Sequence, residues 1–392
     1  MKKITLGIMC WMLIFPNTFL FAQTENTKQA VVHLSFWDPI GSNGSAYKEY
    51  TNTFSFNLLY GGSYSERAFV FSGLVSVIQS DATGVQFAGL ANVIGNARGL
   101  SFAGLTNITG NVNGLQFAGL TNITGNTNGL QFAGLGNITG NTNGLQFGGL
   151  GNITGNTNGF QFGGLGNIAG DVRGLQFAGF NNIAGNLRGL QFAGIFNVAA
   201  QVEGFQFSGI CNMAGVVKGA QFAGIFNVAK HCDYPVGLVN LIKDGEKSLG
   251  VEWDELQNIM PVFRSGSRIM YGVLGIGYNF KSSENPVVFQ GGFGVHIPCS
   301  SKFRINTELT ETTLTQFKDA AYRTSIRVLP SFRFGQGLEV FAGPTLNYLE
   351  TSDPVFGDLF SNHSLWKNTV TSPNANRQQL YAGYLVGLQY VF

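Results

Sequence analysis

Apolar and polar positions follow two different periods along this chain. From Gly84 to Ala229 one fifteen-residue phrase is restated ten times, with Gly129-Leu-Gln-Phe-Ala-Gly-Leu-Gly-Asn-Ile-Thr-Gly-Asn-Thr-Asn143 as a clean copy. So short and strict a repeat predicts stacked coils. Phenylalanine recurs at Phe87, Phe102, Phe117, Phe132, Phe147 and Phe162 and onward to Phe222. Asparagine does the same at Asn92, Asn107, Asn122, Asn137, Asn152 and Asn167, through to Asn227. Such columns are structural ladders between equivalent places in successive rungs. Within Leu115-Gln116-Phe117 the alternation puts Leu and Phe on one face and Gln on the other, and the apolar face is expected to be the core.

Fifteen residues are too few for a leucine-rich repeat, and no helical period is present. A narrow parallel β-solenoid fits better, with bends at Gly114, Gly119 and Gly125. The Asn and Gln columns read either as a ligand-binding strip or, the reading adopted here, as a structural Asn ladder beside a solvated Gln face. Asn152→Leu is then expected to cost about 1–3 kcal/mol. The Asn-x-Thr triplets fall out of the repeat itself, and the Thr124/Thr127, Thr139/Thr142 and Thr154/Thr157 pairs form a small hydroxyl array explained by duplication.

Lys2 and Lys3 precede an apolar run from Ile4 to Ala22, which reads as a secretory signal over residues 1–22. Residues 23–66 hold two alternating segments, Val31–Trp37 and Phe54–Tyr60, read as the first two barrel strands. Residues 67–242 form the solenoid with its caps, Val70–Val77 and Pro235–Leu241 being worn copies of the repeat. A charged connector, 243–266, follows.

From residue 267 to 392 the period is two. Val287, Phe289, Phe293 and Val295 alternate with Gln290, Gly292 and Gly294, and Tyr322, Ile326, Val328 and Phe332 alternate with Arg323, Arg327 and Arg333. Apolar-out, polar-in strands of about ten residues predict an outer-membrane barrel, and the aromatic ending Leu388–Phe392 favours it over a β-sandwich. Six strands here plus two before the repeats make about eight. The fold class is therefore all-β: a solenoid of fifteen-residue coils inserted into an approximately eight-stranded antiparallel barrel. A barrel of that size is filled by side chains, so the interior charges Arg304, Arg323, Arg327 and Arg333 are expected to pair with Glu308 and Glu339. With both barrel ends periplasmic, this count puts the solenoid on the periplasmic side, whereas a further strand pair completed by Val70–Val77 or Leu238–Leu241 would put it outside.

Charge narrows the function. The formal net charge is +2, charged residues make up 11% of the chain, and no Lys/Arg cluster is interleaved with aromatics, so nucleic acid is not an expected partner. Beyond the leader, Cys211, Cys232 and Cys299 are too scattered for a disulfide framework or a zinc site. No cofactor and no catalytic or metal-ligating residue is expected. Asp171 and Arg173 come nearest to a site, yet share one turn. The 350–378 loop, with Asp353, Phe356, Phe360, His363 and Trp366, reads as a mobile loop or a contact site.

The Gly-x-Gln-Phe-Ala-Gly-Leu-x-Asn-Ile coils, the Pro235–Gly245 exit and the Phe341-Ala-Gly-Pro-Thr-Leu-Asn347 strand together resemble the bacterial surface-repeat proteins of the leptospiral type. The resemblance covers nearly the whole chain after the leader. It implies an envelope protein of uncharacterised role and carries over no site residues. The leading expectation is thus a non-enzymatic protein of a Gram-negative outer membrane, whose partner is the lipid bilayer, acting as scaffold or adhesin-like surface. A protein or glycan contact on the solenoid or on the 350–378 loop stays open. Small-solute transport is the alternative, and a polysaccharide-active β-helix enzyme ranks below it.

Overall fold

The computed structural model describes residues 27–282, 286–317, 320–335, 337–360, 364–368 and 377–392. The expected leader, 1–22, and His363 lie outside them. The expected fold class is observed: parallel coils, about 13 in all, and a closed antiparallel barrel of 8 strands. The chain divides into two compact units, Met1–Gly149 and Leu150–Phe392.

In the first unit, strands one coil apart pair in parallel and in register, as in Asn107 with Asn122 and Phe117 with Phe132. Each coil turns at a glycine of positive φ. Gly114 has φ 146°, and a β-carbon there would collide with the carbonyl oxygen of Gly99 one rung away. Lys28–Trp37 and Tyr50–Ser63, expected to open the barrel, pair with each other in parallel and belong to the coils instead. Period-two alternation is common to both architectures, so it could not tell them apart. Inside these first coils Glu66 is buried, its Oε1 accepting from Asn52 Nδ2 at 3.0 Å and Ser55 Oγ at 2.8 Å. Burial raises its carboxyl pKa above the ordinary value, against those two hydrogen bonds.

The second unit begins with coils of the same kind, such as Asn181–Ala193 on Phe196–Ser208. Its last coil slips against the one before: His231–Val236 starts with Val216 opposite His231, fifteen apart, and Val239–Ile242 pairs thirteen apart, with Asn227 opposite Asn240. The segment expected to be a connector supplies two barrel strands, Glu246–Asp254 and Asn258–Gly266. Six more follow: Met270–Asn279, Val287–Pro298, Phe303–Thr315, Ala320–Phe334, Leu338–Thr351 and Arg377–Val391. The last closes on the first, Leu388 opposite Val251. All eight barrel strands thus follow the coils, and the solenoid precedes the barrel without interrupting it.

The orientation of the coils reverses the expectation. Gln116, Gln131 and Gln146 are 0% exposed and Asn107, Asn122 and Asn137 likewise, whereas Leu105, Leu120 and Leu135 are 42–43% exposed. Phe102, Phe117 and Phe132 stand on the outer face, half-buried only because each ring stacks on its neighbours at 4.9–5.0 Å. The interior is built of amides and hydroxyls beside Ala and a few buried aliphatics such as Val112, Val172, Leu187, Val202 and Val217, and the exterior of Leu, Phe and Ile. The Thr124, Thr127, Thr139 and Thr142 hydroxyls point inward too, so the array is no surface face. An amide interior is stable only if fully bonded. Asn107 Nδ2 donates to both Asn122 Oδ1 and the Phe117 carbonyl, each at 2.9 Å, and Gln131 Nε2 donates to Gln116 Oε1 at 3.0 Å. The two ladders run in opposite directions, and each bond polarises the next.

Candidate functional site

The same inside-out rule governs the barrel. Exposed Val251, Leu274, Ile276, Phe289, Leu309, Ile326, Val340 and Leu388 form an apolar outer band. Exposed aromatics flank it at both ends: Phe303, Phe332, Phe334 and Tyr390 at one, Trp253, Tyr278, Tyr322 and Tyr384 at the other. From Tyr322 to Phe332 the rise is about 26 Å, taking ~3.4 Å per residue and a tilt of about 40°. Glu311, held by Thr324 Oγ1 at 2.6 Å, marks the edge of the band near the Tyr322 end.

The bore holds the charges in three layers. Nearest the short turns, Arg304 meets Glu339 at 2.8 Å and Glu246 at 2.5 Å, and Arg333 joins the same two carboxylates at 3.3 and 3.0 Å. In the middle, Arg264 binds Glu308 at 2.8 Å and also Glu252, and Arg327 reaches Glu252 at 3.2 Å and Glu308 at 3.6 Å. Tyr271 donates to Glu308 at 2.9 Å, and Gln290 accepts from Arg327 at 2.7 Å. Towards the loops, Arg323 pairs with Asp254 at 2.6 Å and Glu255 at 3.3 Å, and with neither Glu308 nor Glu339 among its ion pairs. Carboxylates and guanidiniums balance two against two in each of the first two layers. The sequence reading placed no strand at 246–266, and so missed Glu246, Glu252, Asp254 and Arg264. Their alternation with outward Leu249, Val251 and Trp253 was the available signal.

Both mouths are distinct. At the turn end a cavity of about 610 Å³ is lined by Glu246, His296, Lys302, Arg304, Arg333 and Glu339. At the other end the long loop folds inward as the turn Pro354–Leu359, and Phe356 and Leu359, both 0% exposed, pack with Leu256, Met260, Val288 and Leu314. Phe356 is therefore a stopper and not a contact residue. Trp366 is exposed on the short strand Trp366–Asn368, which pairs with Arg377–Val391. Asp171 lies on an exposed coil edge, its Oδ1 accepting from Asn186 Nδ2 at 2.7 Å. Arg173 pairs in register with Arg188 rather than with a second carboxylate, so no acid pair converges there.

No family model and no curated protein matches the chain. Among solved structures it is similar to a de novo designed transmembrane β-barrel, at 11% identity and a TM-score of 0.22, over 38% of this chain and 93% of that one. The barrel is closed and antiparallel, with a polar interior and an apolar outer wall.

Proposed function

We propose that this protein is a non-enzymatic component of a Gram-negative outer membrane, in which the barrel is an anchor and the coils are a scaffold. The observation that carries the proposal is the apolar band between two aromatic belts, about as tall as the ~25 Å band of outer-membrane barrels. The turns at 267–269 and 299–302, with both barrel ends, share one side, and the turn Pro354–Leu359 lies on the other. Short turns face the periplasm in such barrels, so the coils join the barrel from the periplasmic side. This favours a periplasmic scaffold over an adhesin. The three ion-pair layers and the Phe356 stopper count against solute transport, and the envelope role implied by the surface-repeat resemblance agrees with the scaffold reading.

Cell fractionation tests the anchor. The protein should be recovered with outer membranes and migrate faster on a denaturing gel before boiling than after; recovery from the soluble periplasm or culture medium would overturn the proposal. Exposed Cys299, in a turn-end loop, reports the side. A membrane-impermeant maleimide should reach it in permeabilised cells and not in intact ones.

A further inference from the structure

The coils of the second unit carry their charges on one edge. Asp171, Arg173, Arg188, Glu203, Lys218 and Lys230 are all exposed there, beside the turn glycines Gly170, Gly185 and Gly215. The opposite apex and both flanks are apolar: Leu165 at 57%, Phe180 at 45% and Ile210 at 41% exposed along the apex, Phe205 at 43% and Met213 at 42% on the flanks. So large an apolar surface is not left to water in a stable protein.

The last coil shows how this surface is set against the barrel. At its charged edge the Asp233 carbonyl accepts from Ser267 Oγ at 3.0 Å, in the turn at the barrel rim. At its apex Gly237 and Leu238 lie on the outer wall. A β-carbon on outward-facing Gly272 would collide with the carbonyl oxygens of both, and one on Gly291 would stand 3.0 Å from Leu238 Cδ2. Gly291 is seven residues in from the end of its strand at Pro298, about 18 Å above the rim at ~3.4 Å per residue and a tilt of about 40°. From edge to apex the coil thus runs from the rim into the apolar band. The flank from Ile225 to Lys230 spans about 16 Å at ~3.3 Å per residue, close to half of a hydrocarbon core of ~30 Å.

From this placement we infer that coils 150–242 lie within the periplasmic leaflet, their Leu and Phe apex among the lipid acyl chains and their charged edge at the headgroups. The inference rests on the membrane reading of the barrel, because the medium bathing the wall at Gly272 and Gly291 also bathes the coil seated there. Hydrocarbon demands that backbone and side-chain polar groups be satisfied internally. The coils meet most of this demand: their strands bond rung to rung and the interior amides bond to one another, with Ser208 Oγ and Gln221 Oε1 the buried atoms among the described residues of 150–242 left without a partner. Taken by themselves, coils 75–149 carry the same repeat columns, with Asp81 and Arg98 exposed.

Single cysteines in a background with Cys10, Cys211, Cys232 and Cys299 replaced by Ser provide the test. Full-length protein in liposomes carries an environment-sensitive fluorophore at Ile210→Cys on the apex, Arg188→Cys on the edge, or Phe289→Cys on the barrel wall. Lipids brominated on the acyl chains are the quencher. The apex and wall labels should emit to the blue and be quenched alike, with the edge label red-shifted and unquenched. An apex label that is red-shifted and unquenched, beside a quenched wall label, puts the coils in water and overturns the inference alone. A blue-shifted but unquenched apex label means that a second copy of the chain covers it, which also overturns it. If the wall label escapes quenching, the membrane reading of the barrel falls as well.

Discussion

Asn240 donates its side-chain amide to the carbonyl of Ser265 at 3.2 Å, and its backbone N–H to Ser265 Oγ at 2.9 Å. Asn240 is the last member of the interior column that passes through Asn212 and Asn227, and Ser265 is on the second barrel strand. The coil ladder therefore ends on barrel backbone, and the same barrel edge seats the apex at Gly272.

That seating gives the first prediction. Gly272→Val places a side chain where the Gly237 and Leu238 carbonyl oxygens now lie. The barrel should still form, seen as unchanged heat-dependent migration, while protease cuts the 233–245 segment faster than in the native protein. Equal cutting rates would show that the glycine notch does not hold the coil.

The amide column gives a second. Asn152 Nδ2 bonds the Phe162 carbonyl at 2.9 Å and Asn167 Oδ1 at 2.8 Å. Asn152→Leu should destabilise by about 1–3 kcal/mol, since it orphans both acceptors and puts a branched apolar chain into an amide interior. Denaturant titration of the coils measures it. Leu165→Ala on the apex, which breaks no hydrogen bond, is the control.

In the barrel, Arg264 is the guanidinium shared by Glu252 and Glu308. Arg264→Met leaves two buried carboxylates with Arg327 alone and should cost about 3–5 kcal/mol. Adding Glu252→Gln should restore part of that loss. Unfolding followed by the migration shift would detect both steps, and equal stability of the single and double variants would argue against a coupled layer.

Glu66 predicts a pH dependence. Its folded carboxyl pKa is raised by burial, so the folded chain keeps this proton to higher pH than the unfolded chain does. The stability it contributes is complete below the ordinary glutamate range and is lost as pH rises through the raised value. Glu66→Gln keeps an acceptor for Asn52 and Ser55 without the charge. Its unfolding midpoint should exceed that of the native protein at about pH 8, with the gap closing towards pH 4.

Much of this architecture was legible in the residues. The strict return of Phe87, Phe102 and Phe117 at fifteen determined that coils stack in register, because identical side chains can only ladder when the rungs coincide. The two-residue shortening at Pro235–Leu241 reappears as the thirteen-residue offset of Asn240 from Asn227. The Arg304, Arg323, Arg327 and Arg333 parity placed those guanidiniums on one face. Strand alternation alone, however, names two faces and assigns neither to the inside. Nor does it distinguish the parallel pairing of Val32 with Phe54 from the antiparallel pairing of Val251 with Leu388.

Those choices belong to the tertiary structure. Gln116 lies inside and Phe117 outside because a fifteen-residue coil closes around slim amides that bond lengthwise from rung to rung. The bulkier rings stack on its outer face, each on the ring one rung away. The sequence determined the columns and their spacing; only the closed coil decided which column meets the protein interior and which meets the surroundings.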